Sequence, residues 1–483
     1  MANNIRTSKL KGDEINVQYL IDAHPQYNKY IKRWQYLADS YAGGIDYEIG
    51  EYLEKYYFEN AEEYDKRIRT TALDNHVKSV IGIYNSFLYR RPITRNFGAI
   101  ENEPMLNAFI EDADLDGRSF EAIIREISLQ TMIYGHCWIM LDKPTTQVNT
   151  RAEELEQGLR PYISIYTPEN VLDWDYSRLP NGRYKLDYFK CKEEVNKNKQ
   201  YIREFTSEEI NLYEYDGDKK KSTGTFINSL PNQLGKIPAI CVYAQRSPIR
   251  GVGISPVGDI ADAQKQLYDM TSEILQLIQI SNHPSLVKTP DVEAAAGAGA
   301  IIQMPQTMDA GLKPYLLQPS GQNIESVLNA MEKVVGTIDR QACLGGIRSV
   351  ESRRLSGVAL TTEFQMLNAK LSDFAHNLEH AEEQIWRLFA QYQGMAFDGK
   401  IEYPRSFSIQ DKANDVLMLK MAKEGITIGN PPSGSAIKIN KAIDEMIIKT
   451  LIDDDNKLEE ILEDKNLDGY ATRVDGNDVS PQG

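Results

Sequence analysis

Residues 344–357 read Leu-Gly-Gly-Ile-Arg-Ser-Val-Glu-Ser-Arg-Arg-Leu-Ser-Gly, and a heptad helix lies on either side of them. Upstream the apolar positions are Ile324, Val327, Met331, Val334 and Ile338. Downstream they are Leu360, Phe364, Leu367, Leu371, Phe374, Leu378, Ala381, Ile385, Leu388 and Tyr392. Steps of three and four put these side chains on one seam of each helix. The run from Leu360 to Tyr392 holds neither proline nor glycine, which predicts a rod of about 50 Å at about 1.5 Å per residue. The segment between the helices carries Arg348, Arg353 and Arg354 on a backbone loosened by glycine. A helix pair with a basic loop at its bend suits a wall with something anionic beside it better than it suits a catalytic pocket. The charge pattern leaves two readings of these arginines. They pair with Glu351 and its neighbours at the surface, or they line a channel and touch phosphate without reading bases.

Outward from this core, the 483-residue chain is long enough for two to four packed units. Its net charge of −16 and 41% hydrophobic content, with a mean hydropathy of −0.46, fit a soluble protein. They argue against a surface that grips nucleic acid by counterion release. Acidic walls can still centre a mobile polyanion, with binding confined to local basic patches. Cys137, Cys191, Cys241 and Cys343 are scattered, with no metal-like spacing, and are expected to be reduced thiols. No apolar run reaches the length of about 18 residues that a membrane span needs, and the first residues read as polar rather than as a leader.

Residues 1–25 read as a loose arm and 26–60 as helical. One helix is expected from Glu62 to Arg90, another over 119–134 and another over 258–282. The stretch 161–244 reads as mostly β, with candidate strands at Tyr162–Tyr166, Tyr184–Lys190, Tyr201–Phe205, Glu209–Tyr215, Gly224–Asn228 and Ala239–Tyr243. Cys137–Asp142 is a further strand, and the lysines after Asp216 mark a hairpin turn. Helices over 410–423 and 436–451 precede a tail from Leu451 to Gly483 with ten acidic and three basic residues.

The motifs that could carry chemistry each have a plainer reading. Gly251-Val-Gly-Ile-Ser-Pro lacks the third glycine of a dinucleotide loop, and no phosphate-binding loop of the Walker type occurs. His136 and Cys137 are adjacent in a strand and should point to opposite faces. His376, Glu379 and His380 have the order of an inverted zinc-protease motif, but they lie off the apolar seam, where solvent is expected. In the tail, Asp464, Asn466, Asp468, Tyr470 and Asp475 occupy ligand positions of an EF-hand loop, with Gly469 at the turn. Ca²⁺ is therefore the one cofactor the chain suggests. Ala471, the short Asp475 and the nearby chain end weaken that match, and the alternative is an acidic tail broken by glycine.

The order of segments resembles the portal (head-to-tail connector) proteins of tailed bacteriophages over most of residues 60–395. The likeness lies in the helix from Tyr64 to Asn75 that runs on to Phe87-Leu-Tyr-Arg-Arg-Pro92, in Asp112-Ala-Asp-Leu-Asp-Gly117, in Tyr134-Gly-His-Cys-Trp-Ile-Met-Leu-Asp-Lys-Pro144, and in Gly251-Val-Gly-Ile-Ser-Pro-Val-Gly-Asp-Ile260. The chain is accordingly read as α+β and predominantly helical, a portal-like subunit. The resemblance implies a wing over 26–250, a first stem helix over 251–282 and a clip over 283–320. It implies a second stem helix over 321–344, a tunnel loop over 345–357, a long wing helix over 358–400, and a crown with acidic tail over 401–483. It further implies a ring of about twelve copies at one capsid vertex, with double-stranded DNA passing through non-specifically. Arg348, Arg353 and Arg354 map to the tunnel loop by position. The implied partners are terminase, major capsid and scaffolding proteins, and head-tail adaptor or tail proteins, with no membrane. The implied setting is the virion, assembled in the host cytoplasm. Two other readings remain: another helical virion or scaffold protein, and an enzyme without a recognisable site, for which bound zinc would speak.

Overall fold

A computed structural model describes residues 14–144, 151–196, 199–216, 223–282, 285–287, 309, 315–317, 321–348 and 357–407, together with 420, 421, 423, 439, 442–444, 446 and 447. The chain divides into two units, Met1–Phe407 and Ser408–Gly483. In the second, Lys423 Nζ pairs with Asp444 at 2.6 Å, and most of the helices expected over 410–423 and 436–451 lies outside the described residues.

The first unit opens with β1 (Glu14–Asn16) and seven helices, α1 (Val17–Ile21), α2 (Pro25–Ala42), α3 (Gly44–Ile49), α4 (Ala61–Thr70), α5 (His76–Leu88), α6 (Pro104–Glu111) and α7 (Phe120–Tyr134), with β2 (Thr94–Asn96) between α5 and α6. Next come β3 (His136–Asp142), α8 (Arg151–Glu156), β4 (Tyr162–Tyr166), β5 (Val171–Arg178), β6 (Tyr184–Asn196), β7 (Lys199–Phe205), β8 (Glu209–Asp216), β9 (Thr223–Pro231), β10 (Ala239–Tyr243), β11 (Gln245–Arg246) and β12 (Gly253–Ile254). The remainder is α9 (Gly258–Asn282), β13 (Ser285–Val287), β14 (Tyr315–Leu317), α10 (Gly321–Ala342), α11 (Gly345–Arg348), α12 (Gly357–Tyr392) and β15 (Lys400–Glu402).

The single helix expected from Glu62 to Arg90 is two. Asn60 caps α4 by accepting from Glu63 N at 2.8 Å, and Asn75 caps α5 by accepting from Lys78 N at 2.8 Å. Each side-chain oxygen satisfies an amide that a helix start leaves without a partner. The apolar spacing continues across the break, so periodicity alone does not reveal it. Ser119 caps α7 in the same way (3.3 Å to Ala122 N), and α7 ends at Gly135 with φ +89°. A Cβ at Gly135 would meet the backbone of Ile254 and Ser255 at 2.5 Å. Across the same contact, a Cβ at Gly253 would stand 2.1 Å from Gly135 O. The Gly251-Val-Gly motif therefore serves chain crossing, and no nucleotide loop is formed.

The β region is two sheets. A six-stranded antiparallel sheet runs in the order β1-β9-β8-β7-β6-β5, and a three-stranded sheet runs in the order β10-β3-β4. Within the smaller sheet every residue of β3 is buried, because α7 and α12 both pack on it. Next to this packing an aromatic cluster of Phe97, Phe109, Phe120, Trp386 and Phe389 joins α6, α7 and α12 at centroid spacings of 4.6–5.9 Å. The buried carboxylate of Glu382 completes the junction. It accepts from Arg95 Nε at 2.6 Å, Trp386 Nε1 at 3.1 Å and Tyr403 Oη at 2.7 Å. This fastens the small β2·β15 sheet to α12.

Candidate functional site

The loop that decides the fold leaves α10 through a built joint. Cys343 adopts a left-handed φ of +57°, which ends the helix, and Leu344 is fully buried beneath it. The single turn α11 then brings Arg348 back over α10, where its Nη1 lies 3.1 Å from Asp339 Oδ1. A second guanidinium nitrogen, Nη2, contacts His76 Nδ1 at the start of α5, and His76 Nε2 lies 3.1 Å from Asp74. On the far side of the loop, Glu363 of α12 accepts from Gly345 N. Tyr84 of α5 donates to Ala342 O at 2.8 Å, and Lys370 of α12 donates to Gln341 O at 2.6 Å. Three long helices thus meet at the base of the loop.

Burial pushes the Asp339 carboxyl up, while Arg348 and His76 pull it down. Burial also pushes His76 down, opposed by Asp74 and reinforced by the Arg348 charge. Burial and the neighbouring guanidinium thus both favour the neutral imidazole.

Arg348 therefore differs from the two arginines expected beside it. Its side chain is only 15% exposed, and it faces Asp339 and His76 of its own chain, where the sequence suggested Glu351 or phosphate. Arg353 and Arg354 lie outside the described residues, as do Asp464, Asn466, Asp468, Tyr470 and Asp475 of the calcium-like motif. At the zinc-like motif, Glu379 accepts from Arg405 at 2.6 Å and from Tyr403 N at 3.0 Å, which leaves it no free face as a base. Among the described residues, no group of three or more His, Cys, Asp or Glu could hold a metal ion. His136 and Cys137 part as expected: His136 stands against the Trp34 and Tyr243 rings, and Cys137 Sγ meets Thr131 Oγ1 at 3.1 Å. Nothing in the chain's spacing links His76 to Arg348, and the fold alone brings them together.

The helices flanking the loop region carry apolar faces that this chain does not fully cover. On α9, Ile260, Leu267 and Ile274 are buried, but Leu275 and Ile278 are 41% and 40% exposed. On α10 only Ile338 of the expected seam is buried; Ile324, Val327, Met331 and Val334 are half-buried, and Leu328 is 47% exposed. The α12 seam, by contrast, is buried from Leu367 through Leu388.

No curated protein sequence matches the chain. Among solved structures, the neck of an empty GTA particle computed with C6 symmetry aligns at a TM-score of 0.40 and 10% identity, covering 75% of this chain and 88% of that one. The virion of a native gene transfer agent particle aligns at 0.38 and 12% identity over the same shares. The neck of a native GTA particle computed with C12 symmetry aligns at 0.37 and 10% identity, again over the same shares. The family of phage portal proteins described as SPP1 Gp6-like matches residues 20–465. That match takes in α2 to α12 and β2 to β15. This chain belongs to the SPP1 Gp6-like family of phage portal proteins.

Proposed function

We propose that copies of this structural protein close into a ring of about twelve at one vertex of a capsid, around a channel for double-stranded DNA during packaging and ejection. The observation that carries this reading is the apolar surface left open on α9 and α10. Leu275, Ile278 and Leu328 are each 40% exposed or more, on helices whose heptad spacing suits packing against further helices. A neighbouring copy laid head to tail would cover these faces, and contacts of that kind close into rings. In this reading α9 and α10 are the stem, 283–320 is the clip on which terminase docks, and residues 26–250 with α12 form the wing. Residues 401–483 form the crown. Adaptor or tail proteins attach once the DNA is inside, and capsid and scaffolding proteins surround the ring. The acidic bulk keeps the polyanion mobile. Arg353 and Arg354 supply phosphate contacts from the loop, while Arg348 anchors the loop's base.

Negative-stain electron microscopy of the purified chain, with native mass spectrometry alongside, tests the ring. Closed rings with a central hole wide enough for a duplex are expected. Replacing Leu275, Ile278 and Leu328 together by serine should reduce them to single subunits that keep the wild-type circular dichroism. Rings that persist in this variant would refute the stem assignment.

A further inference from the structure

Away from the α9/α10 faces and from the loop, a cleft of about 630 Å³ opens between the β5–β6 hairpin, β10 and α12. Among the described residues its lining contains no carboxylate, although the chain carries 70 acidic residues against 54 basic ones. Lys236, Arg246 and Arg250 face it, and among the described residues none of the three forms an ion pair. Arg246 instead lies over the Tyr243 ring at 5.3 Å, and Arg250 over the Tyr184 ring at 3.5 Å. On the adjoining β6 and α12, Asp187 pairs with Lys185 at 3.8 Å and Glu383 with Arg387 at 2.9 Å. Burial pushes the Lys236 ammonium down, the mark of a cation held partly out of water with no anion beside it. His380, on α12, is pushed down by burial and further by Arg246 and Arg387, with Glu383 opposing.

The loop bearing the arginines is braced. Ser247 Oγ accepts from Ile249 N at 3.1 Å and donates to Val252 O at 2.7 Å. Trp174 Nε1 donates to Arg250 O at 3.0 Å, and Gly251, at φ +78°, lets the indole close on the backbone. The backbone that carries Arg246 and Arg250 is therefore fixed before anything binds, which lowers the cost of binding. Beneath them the floor is apolar, made by Ile237, Ile240 and Leu388. One wall is β10, an edge strand with β3 on one side.

We infer that this cleft is a docking site for an extended acidic segment of a partner protein, one in which glutamate or aspartate alternates with apolar side chains. An added strand along β10 would direct alternate side chains to the cations and to the floor. A nucleic-acid backbone offers the charge but nothing to fill the apolar floor, so a peptide is the better match. None of its residues lies on α9 or α10, the helices proposed above to close the ring.

The test is fluorescence anisotropy with the full chain and a dye-labelled peptide alternating glutamate and leucine. Saturable binding is expected, with loss on replacing glutamate by glutamine in the peptide and weakening as salt rises. Arg246→Gln with Arg250→Gln should weaken binding by at least about tenfold, since each charge-assisted hydrogen bond contributes that order. Lys236→Met, on the inner wall and away from the braced loop, should independently weaken it several-fold, which keeps the test valid if the arginine pair disturbs folding. Lys78→Gln, on α5, should leave it unchanged. Equal affinity in the cleft variants, equal affinity for the glutamine peptide, or no binding at all would overturn the proposal. Displacement of the peptide by a duplex oligonucleotide, with the oligonucleotide bound more tightly through the same three cations, would overturn it in favour of DNA.

Discussion

Replacing Arg348 by alanine tests whether this residue anchors the loop. The Arg348–Asp339 pair at 3.1 Å has side chains 15% and 12% exposed. At an effective dielectric of about 20, its Coulomb attraction is about 5 kcal/mol. Desolvation of both ions offsets much of that, so the net coupling falls to about 1–2 kcal/mol. The single variant costs more than the coupling, about 2–3 kcal/mol, because Asp339 is left buried without its cation. At about 1.4 kcal/mol per tenfold, amides in the last turn of α10 and in α11 should exchange with deuterium about 30- to 100-fold faster. Hydrogen-exchange mass spectrometry of peptides from this region would read the change. Arg348→Ala combined with Asp339→Asn should recover part of it, since the stranded charge is gone. The amides of β6 and β7, in the other sheet, should not change. Exchange within about threefold of wild type in the single variant would refute the anchor and return Arg348 to the loop arginines.

Acid should weaken the fold through His136, which burial pushes down to about 3. Its unfolded value is about 6.5, so below that pH the unfolded chain binds more protons and stability falls as pH drops, by about 2 kcal/mol at pH 5 and about 4 kcal/mol at pH 3. Denaturant titrations at pH 7 and pH 5 would measure it, and His136→Phe should flatten the difference. Glu382→Ala leaves Arg95 without its partner in the core, and should cost about 3–5 kcal/mol, read as a lowered denaturation midpoint with the β2·β15 sheet exchanging first.

The elements legible in the sequence were those whose pattern is local and long. The heptads of α9, α10 and α12 fall within Gly258–Asn282, Gly321–Ala342 and Gly357–Tyr392, although the last helix, read over 358–400, ends at Tyr392 where Gly394 takes a left-handed φ of +71°. Strand β5 was missed although Leu172, Trp174 and Tyr176 alternate with polar residues, because two of those are Asp173 and Asp175, whose poor strand preference its pairing with β6 overrides. β2 and β15 are three residues each and form only because they find one another across the chain. The loop arginines were visible as charges, but the partner of Arg348 was not. His76 stands 272 residues away, and only packing of α5 against the base of the loop brings the two together. The basic cleft was hidden for the same reason: Lys236 and the loop of Arg246 and Arg250 flank β10, while His380 comes from α12, and only the fold brings them together.

The 36 residues of α12 contain glycine only at their first position and no proline. A helix without such a break has no hinge within it and behaves as a strut of about 54 Å. In its first half Glu363 and Lys370 grip the base of the loop, and in its second half Glu379 and Glu382 are tied to the strand-and-turn segment around Tyr403. A push along the axis at the loop cannot be absorbed on the way. It is passed along the rod towards the segment around Tyr403 rather than taken up by a bend within the helix.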